Sequence, residues 1–176
     1  MTLRFGRRFD RAKNGRLAVS LATEEVEVLR QLAGELTDLF ENPEADDAAR
    51  DRLFPHAYLD PTEEDAEAEW QRLVHPDLVD QRIAALQLLV ETLPSGAPSR
   101  SGRVEAELDE AQEAAWLGVL NDARLALGSR LGVTEEYDVD QVGSDDPLYV
   151  AWNIYGWLTG LQGELVQVLL GGLPEP

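Results

Sequence analysis

The 176-residue chain contains no cysteine, two histidines and a single methionine, Met1. Without cysteine it can form no disulfide, offer no thiolate to a metal and sense no oxidant through a thiol. Neither His56 nor His75 stands three or four residues from another ligand in a HExxH-like pattern, so a catalytic zinc site is not expected. Glycine-rich phosphate loops, nucleotide fingerprints and serine elbows are also missing, and no cofactor is expected. Basic side chains are scarce, 15 against 34 acidic, for a net charge of −19. Such a charge opposes anionic membranes and non-specific duplex binding by the bulk of the chain. The longest apolar stretch, Leu148 to Leu170, is broken by Asn153, Gln162, Glu164 and Gln167. It reads as a core helix and not as a membrane span. The arginine-bearing N-terminus has no apolar h-region, so export is not expected and a cytoplasmic location fits.

The charge that is present is polarised. Arg4, Arg7, Arg8, Arg11, Lys13 and Arg16 share the first sixteen residues with one acid, Asp10, while the rest of the chain carries 33 acids. A basic arm on an acidic body confines any phosphate contact to the arm. The 44% hydrophobic content and the length suit one autonomous domain over residues 1–176.

Periodicity predicts a mainly α single-domain bundle of six or seven helices with an N-terminal β-hairpin. Leu3, Phe5 and Phe9, then Leu17, Val19 and Leu21, alternate as strands around Asn14-Gly15, which reads as a type I′ turn in a hairpin over about residues 2–21. The helical body, 23–170, starts with Thr23 as N-cap and Glu24 and Glu25 in the first turn of a helix to about Phe40. A short helix follows around Asp46 to Leu53, and Asp60-Pro61 and His75-Pro76 open two more. A flexible loop at 94–103 leads to a long helix from about Val104 to Leu131, closed by Gly132. Asp146-Pro147 begins the last helix, apolar around most of its circumference and so expected at the bundle centre or in an interface. Gly156, Gly160 and Gly163 on that helix would let another helix approach closely.

Few residues invite a chemical reading. Asp138, Asp140 and Gly143 match part of a calcium loop, but Val142 and Tyr149 occupy decisive ligand positions. No metal site is therefore assigned, and the acidic 135–146 loop reads as solvated. His56 and His75 read as loop or helix-start residues. Arg124 falls inside the apolar arc of Leu117, Leu120, Leu127 and Leu131, with Asn121 at its edge. A buried guanidinium needs a partner. Arg124 is thus either half of a core salt bridge, with Glu164 as one candidate partner, or part of an anion pocket with Asn121. The six basic arm residues are the DNA-binding candidates, set against the alternative that they pair with the chain's own acids. No catalytic acid–base pair stands out.

Two segments, Leu120-Asn121-Asp122-Ala123-Arg124-Leu125-Ala126-Leu127-Gly128-Ser129-Arg130-Leu131-Gly132-Val133 and Tyr155-Gly156-Trp157-Leu158-Thr159-Gly160-Leu161-Gln162, resemble an actinobacterial domain-of-unknown-function family that includes oxidative-stress regulators. The resemblance spans the whole chain. It implies a cytoplasmic transcription or stress-response regulator, not an enzyme, working through a protein partner such as one of the transcription machinery. Because the chain lacks cysteine, oxidant sensing through an internal disulfide is not carried over.

The expectation is therefore a non-enzymatic regulator acting through protein contacts, with DNA contact from the arm as an additional role and a homodimer as one assembly. The alternatives are an adaptor or scaffold in protein quality control with no nucleic-acid role, and a metal-dependent enzyme using the 135–146 loop.

Overall fold

Alternating side chains build the sheet first. In the computed structural model, which describes residues 7–42, 47–58, 60–134, 143 and 145–171, β1 (Phe9–Arg11) and β2 (Leu17–Ala22) pair antiparallel, Phe9 facing Val19 and Arg11 facing Leu17. Phe9, Leu17, Val19 and Leu21 all point into the core. The connection is not the expected type I′ turn, because only Gly15, φ 82°, has a positive φ. Gly15 donates to Ala12 O and Ala12 to Arg16 O, a three-residue loop with one left-handed glycine. The part of the expected hairpin before residue 7 lies outside the described residues.

A third strand joins this pair. β3 (Arg103–Leu108) lies antiparallel on β2, with Leu108 opposite Leu17 and Arg103 opposite Ala22, giving the order β1-β2-β3. Residues 104–108 were expected at the start of a helix, and the structure corrects this. Val104 and Leu108 are buried while Glu105 and Glu107 are exposed, a period of two that the helix-forming Glu-Ala-Glu composition obscures.

The helices follow the punctuation in the sequence. α1 (Thr23–Glu41) buries Val26, Leu29, Ala33, Leu36 and Phe40 along one stripe. Thr23 is its first residue and not its cap; the Glu25 carboxylate instead accepts the Ala22 N–H at 2.9 Å. α2 (Ala48–Leu53) is capped by Asp47, which accepts the Ala49 N–H. A 3-10 turn, Pro61–Glu63, leads into α3 (Glu64–Leu73), and α4 (His75–Thr92) follows almost without break. α5 (Glu110–Leu131) opens with a reciprocal capping box between Asp109 and Gln112 and closes on Gly132, φ 66°. α6 (Tyr149–Gly171) is the last element of the described residues. Among the described residues there are thus six α-helices and a three-stranded sheet, where a two-stranded hairpin was expected.

The centre of the bundle is α5, which packs against α1, α2, α4 and α6. Trp116 on α5 is fully buried, donates Nε1–H to Thr92 Oγ1 at 2.8 Å and meets the edge of Phe9. α6 was expected at the centre or in an interface; it does not run through the centre but lies on the flank, against α5 and β1. Only Trp152, Leu158, Leu161 and Leu165 of its residues are buried. No described helix is long and apolar enough to cross a membrane.

Candidate functional site

The basic arm divides into inward and outward cations. Arg8, at the entry to β1, is only 4% exposed. Its Nε donates to Glu25 at 2.7 Å on α1, and its Nη1 donates to Glu164 on α6. Glu25 is itself buried and accepts two further N–H groups, from Ala22 and from Trp157 Nε1 at 3.1 Å, while Arg103 of β3 lies 3.9 Å away. Burial alone would push the Glu25 carboxyl up, but the Ala22 N–H, Arg8 and Trp157 outweigh it and hold it below the usual carboxylate range. Arg11 forms a two-pronged pair with Glu113 of α5, and this bond to Glu113 raises its guanidinium above its ordinary value.

The other arm residues stay at the surface. Arg7 is 77% exposed and reaches only the nearby Asp10, at 3.6 Å. Lys13 is exposed, and Arg16, also exposed, donates to the Glu107 backbone carbonyl at 3.4 Å. Arg4 lies outside the described residues. Of the DNA-binding candidates described, Arg7, Lys13 and Arg16 can meet a phosphate without breaking a bond to a buried carboxylate, and Arg8 and Arg11 cannot.

Asn121 and Arg124 do not converge on one site. Asn121 Oδ1 accepts from Gln162 Nε2 of α6 at 3.3 Å. Arg124 is half-buried, and its buried Nε has no hydrogen-bond partner among the described residues. Glu164, the partner suggested by helical geometry, is bonded to Arg8 instead. Arg124 borders a pocket of about 750 Å³ with Arg52, Ser129, Thr134 and Tyr155, and Asp51 offsets part of its positive charge. The pocket closes tightly at one point: a methyl group at Gly128 would lie 3.1 Å from the Tyr155 ring.

A second polar cluster escaped the sequence reading. Asp122 of α5 is buried and accepts from Arg82 Nε of α4 at 3.0 Å; burial raises its carboxyl above the ordinary value, against the pull of Arg82. The Arg82 guanidinium lies 4.8 Å from the centre of the Phe54 ring, with Arg50 5.4 Å from the same ring. His75, expected to be a simple helix-start residue, meets the edge of Phe54 and has Nε2 3.3 Å from Arg50. Burial, then Arg50 and Arg82, hold its imidazole below the ordinary histidine value. Only the apolar spacing of α4 and α5 was visible in sequence, and it does not say which charged residues will face each other.

A mainly apolar opening lies between α1 and α6, above the Arg8–Glu25–Glu164 cluster. It measures about 750 Å³ and is bordered by Glu24, Val28, Val150, Ile154, Trp157 and Gly160, among others. Val150 is 69% exposed. Among the described residues no three His, Asp or Glu side chains form a metal-binding group, and most of the acidic 135–146 loop lies outside them.

Residues 6–169 match the model of a domain of unknown function (DUF2017). The chain belongs to this family. It is also 32% identical over 196 residues to the putative oxidative stress regulator AosR of Mycobacterium leprae, covering 93% of this chain and 87% of that one. The oxidative stress regulators AosR of Mycobacterium tuberculosis and Mycobacterium bovis are each 30% identical over 188 residues, covering 89% of this chain and 83% of theirs. No solved structure matches the chain. The two segments that carried the family resemblance occupy the C-terminal half of α5 and the middle of α6, and they touch through Asn121–Gln162 and Gly128–Tyr155. The first also holds Arg130, whose Nη2 donates to Asp47 at 2.7 Å and so ties the end of α5 to the start of α2. Trp157, in the second, supplies a donor to Glu25.

Proposed function

We propose that the chain is a non-enzymatic regulator of the oxidative-stress response that acts by binding a protein of the transcription machinery. The observation that carries this reading is the similarity, over about nine-tenths of the chain, to proteins named oxidative stress regulators. Two features of the molecule support a protein partner over a reaction. The titratable clusters at Glu25 and Asp122 are bound up in pairs between elements, and an apolar groove lies open beside α6. A sequence without cysteine has no thiol to oxidise, so any thiol-based sensing of oxidant falls to another protein.

Any contact with DNA falls to Arg7, Lys13 and Arg16, the described arm cations left at the surface, and it assists the protein contact without replacing it. The test has two parts. Cells lacking the chain should lose part of their transcriptional response to peroxide and regain it on complementation. The tagged chain should retain a component of the transcription machinery after nuclease digestion. A normal peroxide response in the deletion strain, or partners recovered only when bridged by DNA, would defeat the proposal.

A further inference from the structure

The flank of α6 carries surface that the described residues leave unused. α6 rests on α5 and β1, and its other side joins the first turns of α1 around the open groove. Trp157 and Ile154 are half-buried in the floor, and Val150 stands exposed at one end. Gly160 lies among them. A Cβ added at Gly160 would meet nothing within 4 Å among the described residues, so none of them takes up the close approach this glycine permits.

The polar edge of the groove is acidic. Glu24 is exposed on the α1 side and Glu164 is partly exposed on the α6 side. Arg8, the one cation among the described lining residues, is buried beneath them and already bonded to Glu25 and Glu164. We propose that this groove docks a single amphipathic helix of a partner protein, with its apolar face on Val150, Trp157 and Gly160 and basic side chains toward Glu24 and Glu164. This inference rests on the regulator reading and supplies the surface it needs.

Physical chemistry selects that occupant. A helix with side chains is about 10 Å across, and its apolar stripe seats in a groove of this kind through anchors at three- and four-residue spacing. A row without a Cβ lets its backbone come close, and a tryptophan in the floor is the residue type that most often dominates binding energy. A second copy of the chain brings another −19 of charge, which opposes its approach to an acidic rim, and its exposed arm cations Arg7, Lys13 and Arg16 sit around a β-hairpin and not on an amphipathic helix. A basic flank meets Glu24 and Glu164 favourably and gains in association rate.

The probe is a fluorescein-labelled synthetic amphipathic helix of Leu and Lys, titrated into the full chain by fluorescence anisotropy, with a Leu and Glu version as its control. The Lys peptide should bind and the Glu peptide should not. Gly160→Leu should weaken binding at least 10-fold by filling the floor, and Glu24→Lys should slow association several-fold. Leu73→Ser, at an exposed apolar residue on α3, should change neither. Gly160→Leu keeps the fold, since the new side chain meets open space and leucine favours helix over glycine, so its melting temperature should not fall. Equal binding to wild type and Gly160→Leu, or equal binding of the two peptides, overturns the proposal. So does sedimentation as a dimer that Gly160→Leu dissociates, which assigns the surface to a second copy. If the transcription component that co-purifies is retained by Gly160→Leu, the groove is wrong and the regulator reading stands. If the deletion strain responds normally to peroxide while peptide binding still tracks Gly160, the regulator reading falls and the groove stands.

Discussion

Burial by itself would favour a neutral carboxyl at Glu25, yet three N–H groups, from Arg8, Ala22 and Trp157, converge on it and keep it charged. A buried carboxylate held this way is worth most when both partners are present, because removing one leaves the other charge without compensation. Arg8→Ala should therefore lower stability by about 3–5 kcal/mol in urea unfolding, far more than Arg7→Ala at the exposed neighbouring position, which should fall within about 0.5 kcal/mol of wild type. The pH dependence has a definite sign. Glu25 has a lower pKa folded than unfolded, so the stability it contributes is present above its ordinary value of 4.5 and is lost as pH falls through the folded value. His75 is also depressed, below 6.5, and its contribution is likewise present above 6.5 and lost below, but at higher pH. Urea midpoints measured every half unit should thus show one decline beginning near pH 6.5 and a second below pH 4.5. His75→Gln should remove the first, and Glu25→Gln should lessen only the second, to which Asp47, Asp60 and Glu67, also held below their ordinary values, contribute; a single acid limb unaffected by His75→Gln would contradict this account of the Phe54 cluster. None of this was legible in the sequence. Helical angles placed Glu164 and Arg124 on faces, but which cation lies across from which acid depends on how the helices are docked, so Glu164 was matched to Arg124 when it belongs to Arg8.

Elements with local signals were legible, and the one built by distant pairing was not. Asn14-Gly15, Asp60-Pro61, His75-Pro76 and Gly132 each mark a boundary through the backbone conformations of the residues themselves, and the structure turns or starts a helix at each. β3 has no such signal. Its Glu-Ala-Glu centre has good helix propensity, and what makes it a strand is pairing with β2, more than eighty residues earlier in the chain. The helix therefore starts at Glu110, capped by Asp109, and not near Val104, and this difference can be measured. With the helix begun at 104, Asp109→Ala would put a better helix former inside the helix and stabilise it. In the structure Asp109 accepts the Gln112 N–H at 3.0 Å and Gln112 returns the bond to the Asp109 N–H at 2.8 Å. Asp109→Ala should accordingly cost about 1 kcal/mol, read as a lower thermal midpoint. An unchanged or higher midpoint would contradict the cap. The same reasoning explains why the sequence left α6 between the bundle centre and an interface. An apolar circumference shows that a helix has something to cover, and the groove beside Trp157 is a face that the described chain leaves uncovered.

At the scale of the whole molecule, an excess of acid limits what the arm can do. The field of a −19 chain repels duplex at long range, and any attraction must come from the few cations that project beyond it. Each phosphate neutralised on duplex DNA contributes about −0.9 to the slope of log K against log salt. Full use of Arg7, Lys13 and Arg16 then corresponds to a slope of about −2.7, or about −3.6 with Arg4 included. A slope of about −5.4, all six arm cations engaged, would require Arg8 and Arg11 to abandon Glu25, Glu164 and Glu113, and the fold would lose stability in proportion. Duplex affinity measured across a salt series should therefore be weak and shallow in its salt dependence. Changing Arg7, Lys13 and Arg16 together to Ala should remove it. Arg8→Ala should leave the slope unchanged while lowering the melting temperature, since that guanidinium serves the core. If Arg8→Ala instead flattened the salt dependence with the melting temperature intact, the arginine would be facing phosphate and not Glu25. The split between inward and outward cations on the arm would then be wrong.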